Sequence, residues 1–328
     1  MRDVRIRCPR CCIESWEVVG MGIGKGPASL LFSLKSVEPF FGSVLQLGRQ
    51  SIYVEASALP EIATRYGQSV DVGDVRILSD GEYDPATYCA EIFFQMLGFE
   101  NVSSLDISLH EGAEFAHDLN DEVPEALVER FDFIYDGGTL EHIFDVPQAL
   151  RNIHLMLKPN GVIMHCNPTH NHVDHGFYMF SPTLFWDYYT NNGYEIIRSQ
   201  IYEYERQHSP HYPKPWTVYD YEPGSIQHME SGGWGRRQMG IWFVARKAEL
   251  ATGDVVPQQG MCQQIWNDDV IFDPYEAASS SGPLTTQLRN MVISHPGVYA
   301  WLRPLIGRIR RWQAQYGPQP RPPVVDEF

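Results

Sequence analysis

Histidine and acidic side chains in two short stretches are the candidates for acid–base chemistry in this chain. The first stretch is Asp136-Gly-Gly-Thr-Leu-Glu-His142, at the end of an apolar run. An imidazole titrates near neutral pH, so His142 can take a proton from an acceptor hydroxyl or amine, with Glu141 or Asp136 orienting its ring. We therefore predict His142, Glu141 and Asp136 as catalytic residues. The alternative is that His142 only packs and hydrogen-bonds beside a bound ligand.

The second stretch is a histidine-rich segment, His170-Asn-His-Val-Asp-His-Gly176, that follows a predicted strand. Because loops after parallel strands lie at the ligand-binding edge of a sheet, we predict that His170, His172 and His175 contact the substrate. With Asp174 they offer the spacing of a metal site, and a plain structural loop is a further alternative. We predict no bound metal.

Polar residues or glycine end four of the predicted strands. These residues are Gly48, Asp106, Asp118 and Asp136. In an open parallel sheet, ligands bind outside the carboxyl ends of the strands, where the strand order reverses. A carboxylate after the second strand commonly binds ribose hydroxyls, and Asp106 has that position. The alternative is that Asp106 only turns the chain, as aspartate often does at the start of a loop.

The elements that must position these residues alternate between strands and helices. The predicted strands are Ser43–Gln50, Val102–Ile107, Ala113–Asp118, Phe131–Asp136, Val162–Asn167, Tyr194–Ile201 and Met239–Ala245. Helices are predicted over Asp84–Gly98, from Asp145 and from Ser181, each opened by a capping residue and a nearby proline. This alternation predicts an α/β fold with parallel βαβ units and right-handed crossovers.

Charge and composition exclude several classes of function. The formal net charge of -16 argues against a nucleic-acid binder, which needs a basic surface. No apolar run is long enough to predict a membrane span. The six cysteines have no paired spacing, and Cys8-Pro-Arg-Cys11 lacks two further ligands for zinc. Free thiols in a reducing, cytoplasmic location are the favoured interpretation.

Several of these segments together resemble the class I S-adenosylmethionine-dependent methyltransferases. The segments are Val44–Gly48, Ser104–Ile107, His117–Leu119, Phe131–Ile143 and Ala149–Gly161, and the similarity extends over roughly residues 40–246. The combination of Gly-Thr-Leu-Glu-His with Leu-Lys-Pro-Asn-Gly is its most specific part. The resemblance implies a doubly wound, mostly parallel, seven-stranded Rossmann-like sheet, S-adenosylmethionine as cofactor, and methyl transfer to a nucleophile.

The resemblance also implies roles for the residues at the strand ends. Gly48 would lie under the methionine portion of the cofactor, Asp106 would bind the ribose, Asp118 would face the adenine amino group, and Asp136, Gly137 and Gly138 would flank the methionine or the methyl group. The family has further glycines after the first strand, whereas this chain has Arg49 and Gln50. Either these two side chains hold the cofactor carboxylate, or the site has decayed.

The predicted activity is methyl transfer from S-adenosylmethionine to a small polar acceptor, a sugar or metabolite hydroxyl or amine. The alternative is a catalytically inactive methyltransferase-like binding or scaffold protein. A nicotinamide-dependent oxidoreductase would share the ribose-binding acid, but the chain lacks the GxGxxG turn of that class.

The predicted organisation has an N-terminal arm over residues 1–40 and a methyltransferase-like domain over residues 41–247, with a lid insertion at about residues 206–237. A linker follows over residues 248–283, and residues 284–328 form a helical appendage with a basic amphipathic helix and a proline-rich tail. This helix, at Val298–Gln315, would dock on its own domain, on a second subunit of a homo-oligomer, or on an anionic membrane surface. Met21–Gly26 is predicted to be a flexible turn, not a phosphate loop.

Overall fold

The computed structural model describes residues 22–79, 82–110, 112–205, 216–229, 233–260, 262 and 321–328. The predicted helix at Val298–Gln315 and the Cys8–Cys11 pair lie outside the described residues. So do the first part of the predicted arm and part of the predicted lid.

A nine-stranded sheet forms the centre of the described part of the chain. Its strands, in chain order, are β2 (Ser43–Leu47), β4 (Asn101–Asp106), β5 (Phe115–Ala116), β6 (Phe131–Asp136), β7 (Leu157–His170), β8 (Glu195–Tyr204), β9 (Thr217–Asp220), β10 (Gln238–Arg246) and β11 (Val324–Glu327). Their order across the sheet is β11-β9-β8-β10-β7-β6-β2-β4-β5. A separate parallel pair joins β1 (Gly22–Ile23) to β3 (Ser51–Ile52).

The sheet combines a parallel half with an antiparallel half. Strands β5, β4, β2, β6 and β7 pair in parallel, whereas β10, β8, β9 and β11 join antiparallel to their neighbours. The prediction of seven mostly parallel strands is therefore wrong in number and in orientation. The two added strands are four residues each and lie in the predicted lid and tail. Such short strands form by pairing at a sheet edge, which a local pattern does not indicate.

Helices cover both faces of the sheet. They are α1 (Lys25–Lys35), α2 (Leu59–Arg65), α3 (Ala90–Leu97), α4 (Val146–Met156) and α5 (Pro182–Asn191). Single 3₁₀ turns occur at Ala56–Ala58, Glu125–Leu127, Leu140–His142 and Gln227–Met229. Helices α1, α2 and α3 pack with one face of the sheet into one core, and α4 and α5 pack with the other face into a second core. The architecture is thus three-layered.

The local signals for helices succeed in two cases and fail in one. Asp145 caps α4 by accepting a hydrogen bond from the Gln148 N–H at 3.0 Å, which confirms the predicted start of that helix. Helix α5 begins at Pro182 as predicted. Helix α3, however, begins at Ala90, because the preceding residues form a turn in which Thr87 and Tyr88 donate backbone hydrogen bonds to Asp84.

The segment predicted as a flexible turn at Met21–Gly26 contains instead a short strand, β1, followed directly by the start of α1. Its backbone pairs with β3, a contact that the glycine-rich composition does not reveal. Among the residues that the structure describes, no helix is long and apolar enough to cross a membrane.

Candidate functional site

The carboxyl ends of β2, β4 and β6 meet where the strand order reverses. β2 lies at the centre, with Leu47 aligned with Leu105 on one side and with Asp136 on the other. The chain leaves β2 towards β4 and later returns to the opposite side as β6, so a crevice opens between the two crossovers. Gly48, Asp106 and Gly137 therefore lie together at this switch point, as the sequence predicts.

Gly48 has the backbone conformation that makes glycine necessary. Its φ is +67°, in the left-handed region. Its N–H donates to the Leu105 carbonyl at 2.8 Å. A Cβ at this position would lie 2.9 Å from Thr139 Oγ1, and that hydroxyl donates to the Leu47 carbonyl at 2.6 Å. The turn after β2 thus lies directly against the turn after β6, with no space for a side chain between them.

Arg49 connects the predicted ribose-binding acid to a helix. Its N–H donates to Asp106 Oδ2 at 3.4 Å, and Asp106 Oδ1 accepts from the Ile107 N–H at 2.7 Å. The guanidinium makes two hydrogen bonds to Glu91 at the start of α3, at 2.9 and 3.1 Å. Partial burial raises the pKa of Glu91, but its hydrogen bonds with Arg49 and Cys89 outweigh burial and hold the pKa below its usual value. Arg49 is therefore paired within the protein.

Gln50 occupies space where the family has a further glycine. The side chain is buried, and its Nε2 donates to the backbone carbonyls of Leu47 and Gly48 at 3.2 and 3.4 Å. Its Oε1 has no hydrogen-bond partner in the part of the chain that the structure describes, and a Cβ at Gly137 would lie 2.9 Å from that oxygen. A buried amide oxygen without a donor is costly, so a ligand group that donates a hydrogen bond here would be favoured.

Asp136 is fully buried, and both of its oxygens are bound within the protein. Oδ1 accepts from the N–H groups of Thr139 and Leu140 at 2.9 and 3.3 Å. Oδ2 lies 2.7 Å from His165 Nδ1, and His165 Nε2 lies 2.7 Å from the Tyr189 hydroxyl. Burial raises the pKa of Asp136, but the hydrogen bonds, above all that of His165, outweigh it and lower the pKa. Of the two acids predicted to orient His142, Asp136 is thus bound to His165 instead.

The second acid, Glu141, is also fully buried. Its Oε2 accepts from Asn167 Nδ2 at 3.1 Å, and its Oε1 lies 3.6 Å from His175 Nε2, within ion-pair distance. Burial is the largest influence and raises the pKa of Glu141. The backbone carbonyl of Glu141 accepts from the N–H groups of Phe177 and Tyr178 at 2.8 and 3.2 Å. These bonds fix the histidine-rich loop to the turn after β6.

This attachment brings two of the predicted site segments together. The ring of His142, which is exposed, lies 5.1 Å from the ring of His175, centroid to centroid. His172 follows, with its ring 5.8 Å from that of His175 and its Nε2 3.4 Å from the Tyr204 hydroxyl. His170 is in the last position of β7, opposite Met239, and makes none of these ring contacts. We call Glu141, His142, His172 and His175 the histidine cluster.

Asp118 forms a local turn. Its Oδ1 accepts from the backbone N–H and from the side-chain Nδ2 of Asn120, at 2.9 and 2.7 Å. These hydrogen bonds lower the pKa of the Asp118 carboxyl. Asn120 in turn accepts from the Asp145 N–H at 2.8 Å, which connects this turn to the start of α4. Contact between Asp118 and the adenine amino group stays a prediction.

Three residues of the site are missing from the sequence-based prediction. They are Glu91, which pairs with Arg49, His165, which binds Asp136, and Asn167, which binds Glu141. His165 and Asn167 alternate with apolar residues in the strand that contains Val162–Asn167. Polar residues on the inward face of a buried strand need partners, and this signal was available in the sequence.

The geometry also brings together possible metal ligands. Glu141, His142 and His175 each offer one ligand atom, and these atoms lie within 4.8 Å of one another. The metal alternative that the sequence offers lies within the loop from His170 to His175, whereas this set also includes residues of the turn after β6.

Residues 77–223 match a family model described as a methyltransferase domain. The match confirms the resemblance seen in the sequence. It includes Asp106, Asp136 and the histidine cluster, but it begins after β2 and Gly48. A search of curated proteins found no match to the chain.

Solved structures with detectable similarity include three methyltransferases. The N-methyltransferase NodS of Bradyrhizobium japonicum, in complex with S-adenosyl-L-homocysteine, is 12% identical, with a TM-score of 0.35 over 67% of this chain and 84% of its own. A Burkholderia thailandensis 1,6-didemethyltoxoflavin-N1-methyltransferase is 14% identical, with a TM-score of 0.32 over 68% of this chain and 77% of its own. A Mesorhizobium loti S-adenosylmethionine-dependent methyltransferase is 13% identical, with a TM-score of 0.31 over 65% of this chain and 95% of its own. At these values the three structures carry no argument about the activity of this chain.

Proposed function

We propose that this chain, whose residues 77–223 match a methyltransferase domain, transfers a methyl group from S-adenosylmethionine to a small polar acceptor. The acceptor would be a sugar or another metabolite with a hydroxyl or amine group. S-adenosylmethionine is the cofactor that this family implies, and it supplies an electrophilic methyl group on a sulfonium.

The observation that carries the proposal is the convergence of Gly48, Asp106 and Gly137 at the switch point of the sheet. Gly48 gives the backbone a course that side chains do not permit, and Asp106 is partly exposed beside it. A Cβ at Gly137 would lie 2.4 Å from the ring of Tyr135, so this position also has no space for a side chain and its backbone stays uncovered. A bare backbone and an accessible carboxylate fit a ligand with a ribose and a charged amino-acid end.

In this arrangement Asp106 would accept hydrogen bonds from the ribose hydroxyls, and Gln50 Oε1 would accept one from the amino-acid end of the cofactor. Asp136 has a positioning role, because its hydrogen bonds hold the turn that contains Gly137 and Gly138. His142 lies beyond this turn and is exposed, so it is the candidate for removing the proton of the acceptor as the methyl group is transferred. His172 and His175, which lie in the same cluster as His142, would also contact the acceptor.

The charge of the chain supports a small acceptor over nucleic acid. With a formal net charge of -16, the protein lacks the excess of cations that binding to a phosphate backbone requires. Histidine and tyrosine side chains around the cluster offer neutral hydrogen-bond donors and acceptors, which suit hydroxyl and amine groups.

Calorimetric titration of the purified protein with S-adenosylmethionine and S-adenosylhomocysteine tests the proposal. We expect binding of both compounds, weakened roughly 10- to 100-fold in Asp106→Ala, because hydrogen bonds to a charged group contribute about 1.5–3 kcal/mol. Asp74→Ala removes an exposed carboxylate far along the chain from these residues and serves as the matched control. Equal binding by wild type and Asp106→Ala would refute the assignment of the ribose site.

One observation favours the second candidate, an inactive methyltransferase-like binding protein. Arg49 is already paired with Glu91, and the Gln50 amide fills space beside the backbone where the family has glycine. If these side chains block the methionine end, neither compound will bind at millimolar concentration, and a search for protein partners should follow.

A further inference from the structure

Three side chains that can bind a metal ion meet beside the switch point. One ligand atom from each of Glu141, His142 and His175 lies within 4.8 Å of the other two. They come from two segments, the 3₁₀ turn after β6 and the loop after β7. The hydrogen bonds from the N–H groups of Phe177 and Tyr178 to the Glu141 carbonyl hold these two segments together. The backbone, and not only the side-chain conformation, therefore brings the three ligands close to one another.

One oxygen of the Glu141 carboxylate is in a position to bind a cation. Asn167 donates to Oε2 at 3.1 Å and so fixes the orientation of the carboxylate, as outer partners of metal ligands commonly do. Oε1 is buried, has no hydrogen-bond partner within 3.5 Å among the described residues, and faces His175 Nε2 at the ion-pair distance of 3.6 Å. Leaving a carboxylate oxygen buried in this way is costly, and a bound cation would remove that cost.

The ligand set favours a particular class of ion. Two imidazole nitrogens and one carboxylate oxygen suit zinc and its neighbours among the divalent transition metals, whereas Mg²⁺ and Ca²⁺ prefer oxygen ligands. Tetrahedral ligand bonds of about 2.1 Å place the ligand atoms about 3.4 Å apart. Oε1 of Glu141 and Nε2 of His175 are already 3.6 Å apart, and the exposed His142 can rotate to complete the set.

We propose that Glu141, His142 and His175 bind one divalent transition-metal ion of the zinc class, with a fourth position open towards the acceptor. The binding of the ion is inferred from the geometry of the cluster alone, whereas its role in catalysis rests on the proposed methyl transfer. An acceptor hydroxyl bound to the ion would lose its proton to solvent more easily. Its oxygen would then form the bond to the methyl group as the methyl–sulfur bond breaks, which leaves S-adenosylhomocysteine. The ion would thus replace His142 as the means of removing the proton.

Titration with Co²⁺ and with Zn²⁺ alone, followed by calorimetry and by the visible spectrum of bound Co²⁺, tests the site. The parent protein for this test has Cys8, Cys11 and Cys12 replaced with serine, because these three neighbouring thiols could also bind the ion. We expect one ion per chain and at least about a 100-fold loss of affinity in His175→Ala, since even losing an outer partner of a metal ligand costs 10- to 100-fold. His228→Ala, a histidine outside the cluster, should bind the ion like the parent protein.

A second variant and a second ligand keep the outcomes separate. His175 is partly exposed, so His175→Ala should fold, and Glu141→Gln tests the buried ligand where thermal melting shows that the variant is folded. Absence of Co²⁺ and Zn²⁺ binding to the parent protein, or equal binding by parent and His175→Ala, would overturn the proposal. Calorimetry with S-adenosylmethionine on the same samples reports on the proposed function separately, because it does not require the ion.

Discussion

Replacing His165 with phenylalanine tests whether Asp136 depends on a single partner in the core. The substitution keeps an aromatic ring at this position but removes the hydrogen bond between His165 Nδ1 and Asp136 Oδ2, which is 2.7 Å long. Oδ1 keeps its bonds from Thr139 and Leu140. Because Asp136 is fully buried, one oxygen of an ionised carboxylate would lose its partner without gaining water. Without His165 the buried carboxylate charge loses a hydrogen-bond donor, and a hydrogen bond to a charged group contributes about 1.5–3 kcal/mol, so we expect a loss in that range for His165→Phe.

Guanidinium titration at pH 7, followed by circular dichroism, measures the loss of unfolding free energy. Tyr189→Phe is the matched control, because it keeps the hydrogen bond between His165 and Asp136 and removes only the one between the Tyr189 hydroxyl and His165 Nε2. We expect this control to lose about 1 kcal/mol of unfolding free energy. Asp136→Asn in the His165→Phe background should recover part of the loss, because a neutral amide is less costly to bury than a charge. A loss below about 1 kcal/mol for His165→Phe, or additive losses in the double variant, would refute the reasoning.

Three further changes have expected outcomes. Gly48→Ala should lower the unfolding free energy by about 1–3 kcal/mol, because its φ of +67° strains any side chain and the new Cβ would meet Thr139 Oγ1; an unchanged denaturation midpoint would contradict this. Arg49→Gln should cost less than about 1 kcal/mol, since its pair with Glu91 is partly exposed, and the difference should shrink in high salt. Partial burial raises the pKa of Asp132, but hydrogen bonds from a lysine and a serine outweigh it and lower the pKa. The contribution of the ionised Asp132 to the unfolding free energy is complete above its pKa in the unfolded chain, about 4, and is lost as the pH falls through its pKa in the folded protein. Asp132→Asn should therefore weaken the pH dependence of stability below about pH 4.

The positions of the strand-end residues could be predicted from sequence because each follows a local pattern. An apolar run followed by glycine or an acid marks the end of a buried strand, and parallel strands place their ends at one edge. Gly48, Asp106 and Gly137 therefore come together as expected. The core strands β6 and β7 and the starts of α4 and α5 follow similar local signals.

The contacts that decide what these residues do are not local, and the sequence does not indicate them. Arg49 and Glu91 are 42 positions apart, and His165 and Asp136 are 29 apart. The two residues of each pair lie in different segments of the chain, and they meet only when the fold brings those segments together. The same holds for β9 and β11, which are too short to be stable alone: β9 pairs with β8, and β11 pairs with β9.

The missing glycines after β2 affect the backbone conformation and the space for a cofactor differently. The one position after β2 that requires a left-handed backbone is still glycine, Gly48. Arg49 follows it without disturbing the turn, because its N–H still reaches Asp106 while its side chain turns away to Glu91. The course of the backbone is therefore preserved, and the added side chains alter only how closely a ligand can approach it. The affinity for S-adenosylmethionine, rather than the fold, is the property that distinguishes an active enzyme from an inactive relative, and Gln50→Gly should raise that affinity if the buried amide is the obstacle.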